Sequence, residues 1–458
     1  MDQKYQSCQV NFSESFCLSP MQVMTQNELY YIFEFLCFKD IANCSQVSKH
    51  WKKISEKYFK LLRSFTIQKT FDIDAFLALI PLLQIQELRF QTLINNPTEI
   101  MPLLQKVMPT VKLLEINFNI EEPQLISFLL TKIAQTFPSV ESFKYFGKMI
   151  NEENLLIFNK FLSLRELYLL EDCYFEGRCF NSLRPLEVLV IHSHFVRFQN
   201  IQGFLRTCKS LKKITLDLEE YEEKEISDLV EILKDYKLVS IDLKYCNNIQ
   251  NEHLLSLKNQ TQIQNLSLRK AYEISGGAYA EFFEKKFQDL EKLKLPMNNG
   301  INRHGLLNIA NGCKNLRILD LTWCENIEDS RGIYEIFLRC GKLEKISIVG
   351  IKKATEAAFP VIKEFYESKN KIKIAMLNEE EKEEVKKELR KIWEREIGKQ
   401  KDFKFYKCLK FIDATKCDFV PDEVFLLLLL INPRIDARNY YEEKVQFPRY
   451  QEVNYDYV

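Results

Sequence analysis

The chain has 458 residues, enough for two or three ordinary domains or one long solenoid. Lys plus Arg and Asp plus Glu each total 64, so the formal charge is zero; general nucleic-acid binding needs a basic excess to neutralise phosphates and is not expected. Apolar residues make up 46%, typical of a folded protein, and 12 glycines with 13 prolines argue against long flexible linkers.

Residues 1–20 are polar and lack periodicity, so a disordered tail is expected there. They contain no apolar stretch of the kind a secretory signal needs. Leu29, Ile32, Phe33 and Leu36 then follow the i, i+3, i+4, i+7 spacing of one apolar helix face. Thr25-x-x-Glu28 in front of them reads as a capping box, with Met24 and Leu29 placed as a hydrophobic staple. Asp40 is expected to cap a second helix, because Ile41, Cys44, Val47, Trp51 and Ile54 recur every three or four residues after it.

The run from Met24 to Ser55, and above all VSKHWKKIS from Val47 to Ser55, resembles an F-box. Most F-boxes open with Leu-Pro, and Met24-Thr25 stands in that place. The resemblance implies a three-helix module over residues 21–61 that docks on the Skp-type adaptor of cullin-based ubiquitin ligases. Carried onto this sequence, it makes Leu29, Ile32, Phe33, Leu36, Ile41, Val47 and Trp51 the adaptor-binding residues. A segment this short buries too little surface to stand alone and must pack on a neighbour.

Residues 62–437 carry a repeat. Leu62, Phe65 and Ile67 are expected to form a first strand joined to the helices without a linker. The pattern L-x-x-L-x-L-x-x-N/C is clearest at Leu316, Leu319, Leu321 and Cys324, and again at Leu238, Ile241, Leu243 and Cys246. Further copies start at Ile85, Val111, Val140, Leu164, Leu186, Leu211, Ile263, Leu290 and Leu343, and with the copies at Leu238 and Leu316 the start-to-start separations run from 22 to 29 residues. The closing position holds Cys173, His194, Cys246, Ala271, Asn298 and Cys324, side chains expected to face the turn and satisfy its backbone or fill space. Return segments such as 227–233 and 331–338 have helical apolar spacing. With Cys313 ahead of it, the clearest copy resembles the cysteine-containing leucine-rich repeats of F-box proteins. The expected fold is an α/β solenoid, a horseshoe with parallel strands on the concave side and helices on the convex side. One repeat cannot bury its apolar side, so stability must come from stacking.

The repeat is interrupted over 372–405, with a charged helical insert at about 376–403. Its stripe of Val385, Leu389, Ile392, Trp393 and Ile397 should pack on the solenoid flank, with partner binding as the alternative. Leu409, Ile412, Ala414 and Cys417 restore the pattern, and Ile435 and Ala437 give a last partial strand. The longest apolar run, Val424 to Ile431, would span about 12 Å as a helix, far short of a membrane core of about 30 Å. It reads as a buried helix, and no membrane partner is expected. Residues 438–458 form a C-terminal tail with five tyrosines. Thirteen cysteines without a C-x-x-C pair fit small buried residues in a reducing compartment better than disulfides or zinc. A cytoplasmic or nuclear protein is expected.

Strand side chains alternate, so the residues flanking the repeat leucines point to the concave side. Early repeats offer Phe146, Tyr168, Leu170, Val188, Val190 and His192 as an apolar patch. Later repeats offer Arg269, Lys292, Lys294 and Lys345 as a basic stripe, with Asp242 and Asp320 between. The expected substrate-binding set is Tyr168, Leu170, Val190, His192, Arg269, Lys292, Lys294 and Lys345. Tyr168 is the candidate hot spot for a protein segment with an apolar anchor beside an acidic or phosphorylated stretch. The competing expectation is a patch covered by the C-terminal tail and lysines that are merely solvated. His192-Ser-His194 has no evident third ligand, so a turn histidine is favoured over a metal site. Phosphate-loop, dinucleotide, serine-hydrolase and H-E-x-x-H motifs are lacking. No catalytic residue, metal or cofactor is expected. Two functions stay open: the substrate receptor of a Skp–cullin–F-box ligase, or a non-catalytic repeat scaffold, for example cytoskeletal, with an F-box-like cap. A receptor should expose Leu29, Ile32 or Phe33 to a partner; a scaffold should bury them against its repeats.

Overall fold

A computed structural model describes residues 24–446, except 37, 68–75, 78–79, 172, 369–374, 376 and 397–407. The tail expected at 1–20, most of the one expected at 438–458, Ile397 and the Trp393 side chain fall outside this description.

The chain opens with three helices, α1 (Gln26–Phe33), α2 (Phe38–Val47) and α3 (Lys49–Leu61). The capping box forms: the Thr25 amide donates to Glu28 Oε2 at 2.6 Å, and the Glu28 amide donates to Thr25 Oγ1 at 3.4 Å. Asp40 does not cap α2, which begins at Phe38; its carboxylate lies in the first turn, at the positive end of the helix dipole. The apolar recurrence from Ile41 to Ile54 spans two helices. Ser48 breaks it with extended backbone, and its hydroxyl accepts the Trp51 amide at 3.2 Å.

Helix α3 ends at Leu61, and the first strand follows three residues on, so the helical head meets the repeats without a linker. Helix α3 also packs on a short 3-10 turn at Ile80–Leu82 inside the first return segment. The strands are β1 (Ser64–Ile67), β2 (Glu87–Phe90), β3 (Leu113–Asn117), β4 (Ser142–Phe146), β5 (Glu166–Leu169), β6 (Val188–Ile191) and β7 (Lys213–Asp217). They continue with β8 (Ser240–Lys244), β9 (Asn265–Leu268), β10 (Lys292–Lys294), β11 (Ile318–Asp320), β12 (Lys345–Ser347), β13 (Phe411–Asp413) and β14 (Asp436–Arg438). Among the described residues they make one 14-stranded sheet in sequence order, every neighbouring pair parallel.

Return segments contain α4 (Pro123–Thr136), α5 (Glu152–Ile157), α6 (Phe198–Thr207), α7 (Glu223–Leu233), α8 (Asn251–Ser256), α9 (Gly276–Glu284), α10 (Arg303–Gly312) and α11 (Arg331–Arg339). Helices are about 10 Å across and strands about 4.8 Å apart, so one return per strand puts the strands on the inner side of any curve. The repeat leucines stack into a continuous core: Leu243, Leu268, Leu295 and Leu321 are all closed to solvent.

In several repeats the side chain at the closing position ties the turn to the repeat before it. Cys324 Sγ donates to the Leu295 carbonyl at 3.0 Å, Cys417 Sγ to Ile348 O at 2.9 Å, and Asn298 Nδ2 to Leu268 O at 2.8 Å. The residue just before it turns through a left-handed backbone in six later repeats: Tyr245, Lys270, Met297, Trp323, Gly350 and Lys416.

The insert forms α13 (Glu379–Glu396), lodged between α12 (Pro360–Ser368) and α14 (Asp422–Ile431). Val385, Leu389 and Ile392 are buried there. Beyond β14 the chain doubles back, and the Val445 amide donates to Ala437 O at 2.9 Å, which covers the edge of the last strand. Among the described residues no helix is long and apolar enough to cross a membrane.

Candidate functional site

Two surfaces merit attention, and the first is the helical head. Leu29, Phe33 and Ile41 are buried, at 0%, 1% and 4% exposure. The Phe33 ring packs on Trp51 at 5.9 Å and Tyr58 at 5.2 Å between centroids. These three residues are therefore removed from the expected adaptor-binding set: they form the head's own core. The heptad-like spacing that singled them out marks the face a helix turns toward its neighbours. Neither sequence expectation holds for Phe33, which is sealed by α3 rather than by a partner or by the repeats.

The outer face is apolar as well. Tyr31 is 64% exposed, Phe35 74% and Val47 70%. Tyr31 and Phe35 meet edge to face at 5.2 Å. Ile32, Leu36 and Trp51 from the expected set are partly exposed. Tyr31 and Phe35 escaped the sequence reading although the signal was present: they stand four residues apart, Tyr31 in the last turn of α1 and Phe35 in the turn just after it.

The second surface is the concave face, where strand register lines side chains into rows. One row runs Glu115, Lys144, Tyr168, Val190, Thr215, Asp242 and Ser267 to Lys294. The next places Lys292 beside Ile318 and Ile318 beside Lys345. Leu170, His192 and Arg269 lie just past the C-terminal ends of their strands.

The expected open apolar patch is corrected here. Val188 and Val190 are 8% and 4% exposed, although they sit in concave rows. Side chains converge on the inner side of a solenoid and close over small residues. Tyr168 is half-buried, and its ring lies between two ammonium groups, Lys144 at 5.6 Å and Lys213 at 5.2 Å. Its hydroxyl donates to Glu166 at 3.3 Å. Burial pushes the phenol up to about 12, with the Glu166 charge adding to the effect. Burial also lowers the Lys213 ammonium below its ordinary range. Glu115 holds Lys144 at 3.6 Å and Arg89 at 3.8 Å. Tyr168 is thus clamped rather than free, and the two lysines that clamp it were missed because only register brings them to it. Arg269, Lys292, Lys294 and Lys345 are exposed.

His194 does not point inward as expected. Ser193 takes that role, 1% exposed and donating Oγ to the Cys173 carbonyl at 2.5 Å. The strand delivers its side chain one residue early, so His194 swings out and stacks on Phe195 at 4.1 Å. His192 Nδ1 lies 3.3 Å from the Leu170 carbonyl. Among the described residues no group of three or more His, Cys, Asp or Glu could hold a metal ion.

The protein is a parallel-strand repeat solenoid fused at its first strand to a three-helix head, and it presents two surfaces, the head's outer face with its exposed aromatics and the concave side of the repeats. Residues 27–61 match the family model of the F-box domain, so the chain carries an F-box domain ahead of its repeats. A chain in the crystal structure of the Rad7 and Elc1 complex in yeast is similar in fold over 93% of this chain and 89% of its own length. The TM-score is 0.55 and the identity 14%. No curated protein matches the sequence.

Proposed function

We propose that this protein is the substrate-recognition subunit of a Skp–cullin–F-box type ubiquitin ligase. The observation that carries the reading is the outer face of the F-box helices. Among the described residues, Tyr31, Phe35 and Val47 stand exposed while Leu29, Phe33 and Ile41 are buried in the module's core. A soluble protein gains nothing by holding two large aromatics in water unless a partner covers them. The crystallised relative in fold, taken from a complex of Rad7 and Elc1, supports assembly with a second protein. An Skp-type adaptor would cover this face and connect the chain to a cullin.

The repeats would hold a protein substrate on the concave side, where Lys292, Lys294, Lys345 and Arg269 favour an acidic or phosphorylated segment. The chain would supply proximity and leave the chemistry to its partners. The direct junction of α3 and β1 suits this, because a stiff bridge keeps the effective concentration of bound substrate high. A cytoplasmic or nuclear setting goes with this role.

Size-exclusion chromatography of the purified chain with an Skp-type adaptor and cullin tests the reading. The wild type should co-elute with both, and the Tyr31→Asp/Phe35→Asp variant should elute alone while melting normally. A wild type that elutes apart from the adaptor overturns it.

A further inference from the structure

A second aromatic surface lies at the C-terminal ends of β5 and β6, away from the F-box face and outside the concave rows. Tyr174 is 59% exposed and Phe195 37%, with ring centroids 4.9 Å apart. The His194 ring also meets Phe195, tilted, with centroids 4.1 Å apart. Phe195 thus stands as a ridge between two shallow hollows. One, of about 320 Å³, is walled by Tyr174, Phe175 and Glu152. The other, of about 310 Å³, is walled by His194, Glu220, Glu222 and Glu225.

The charge around this ridge is mainly negative. Residues 217–225 contain six carboxylates and one lysine. An arginine also lines each hollow, and both face Glu176: Arg178 lies 2.7 Å and Arg197 3.8 Å from it. Glu225 is held by Gln199 at 2.8 Å and by the Glu222 amide at 3.1 Å. Glu220 and Glu222 remain exposed at the rim. Desolvation raises the buried Asp217 carboxyl above its ordinary range.

We propose that this ridge docks a basic peptide segment of a partner protein, with Lys or Arg side chains laid across Phe195 and Tyr174 and their charged ends against Glu220 and Glu222. The chemistry selects this occupant. Lys and Arg carry apolar stems that cover ring faces while their charge stays near water. A cation over an aromatic face is attracted by the ring quadrupole. An acidic segment meets like charge here, and a wholly apolar one strands the rim carboxylates. The concave stripe prefers the opposite charge, so the two surfaces would read different parts of a partner. The inference rests on this ridge alone and stands or falls apart from adaptor binding.

Selection of a random dodecapeptide library on the full chain tests it. Recovered peptides should be enriched in Lys and Arg, and their binding should weaken as salt rises. Against the Tyr174→Ala/Glu220→Lys variant their Kd should rise about tenfold. Tyr174→Phe and Lys292→Glu/Lys294→Glu should bind like the wild type. Neither Tyr174 nor Glu220 is buried, so unchanged melting shows the double variant folded. Recovery of no peptides, of peptides without basic enrichment, or of peptides that bind the folded double variant equally well overturns the proposal.

Discussion

Phe33 and Phe35 stand two residues apart and should give opposite phenotypes. Phe35 is 74% exposed, so Phe35→Ala removes almost no packing and should change stability by less than about 0.5 kcal/mol. If an adaptor covers this side chain, roughly 150 Å² of ring surface leaves water on binding. At roughly 25 cal/mol per Å² that sets a ceiling of about 4 kcal/mol. Interface hot spots typically cost about 2 kcal/mol or more when truncated. The expected loss is therefore about 2–4 kcal/mol, a rise in Kd of roughly thirtyfold to several hundredfold. Phe33 is 1% exposed and wedged between Trp51 and Tyr58. Phe33→Ala leaves a cavity and should cost about 3–5 kcal/mol of stability. Titration calorimetry against a purified Skp-type adaptor, paired with urea unfolding, reads both numbers. Adaptor affinity unchanged in Phe35→Ala, or wild-type unfolding in Phe33→Ala, would refute the assignment of inner and outer faces.

Gly350 turns at φ +73°, but five counterparts adopt the same region with side chains, so backbone strain alone should cost about 1 kcal/mol. An added Cβ would also fall 2.8 Å from Trp323 Cδ2, so Gly350→Ala should cost about 2–3 kcal/mol in urea unfolding, falling to about 1 in a Trp323→Ala background. Equal costs in both backgrounds would show that the ring does not matter. Burial raises the thiols of Cys246, Cys313, Cys324, Cys340 and Cys417, with Cys324 and Cys340 pushed up to about 12, so an aromatic disulfide reagent at neutral pH should label them only after denaturation. Rapid native labelling at those positions would contradict their place in the core. Lys292→Glu with Lys294→Glu should weaken substrate capture from native extract with melting unchanged; undiminished capture removes the stripe from the contact. Tyr168 holds its proton more tightly folded than unfolded, so its contribution is full below pH about 10 and is lost as pH climbs toward about 12. The Tyr168→Phe variant should show a shallower fall in stability over that window, and parallel curves would contradict the shift.

The repeat was readable because its physics is local. Each L-x-L pair must face inward on a strand, and each return must bring the chain back, so period and composition leave few other folds. The same holds for the Thr25–Glu28 cap, whose partners are three residues apart. The helix break at Ser48 was harder to read, since apolar spacing runs across it and only the serine marks the stop. The site was less legible still. Apolar spacing finds the buried side of a helix, so it returned Leu29, Phe33 and Ile41 while the face left in water carries Tyr31 and Phe35.

By itself the sequence determined a helical head, a stacked parallel repeat with buried cysteines, and a charged insert on its flank, because each follows from contacts between residues near in sequence or one repeat apart. Tertiary structure alone decided which apolar side chains remain in water, that Ser193 rather than His194 turns inward, and that Lys144 and Lys213 close on Tyr168. Those outcomes depend on register and on what neighbouring elements cover, quantities that a period fixes only to within a residue.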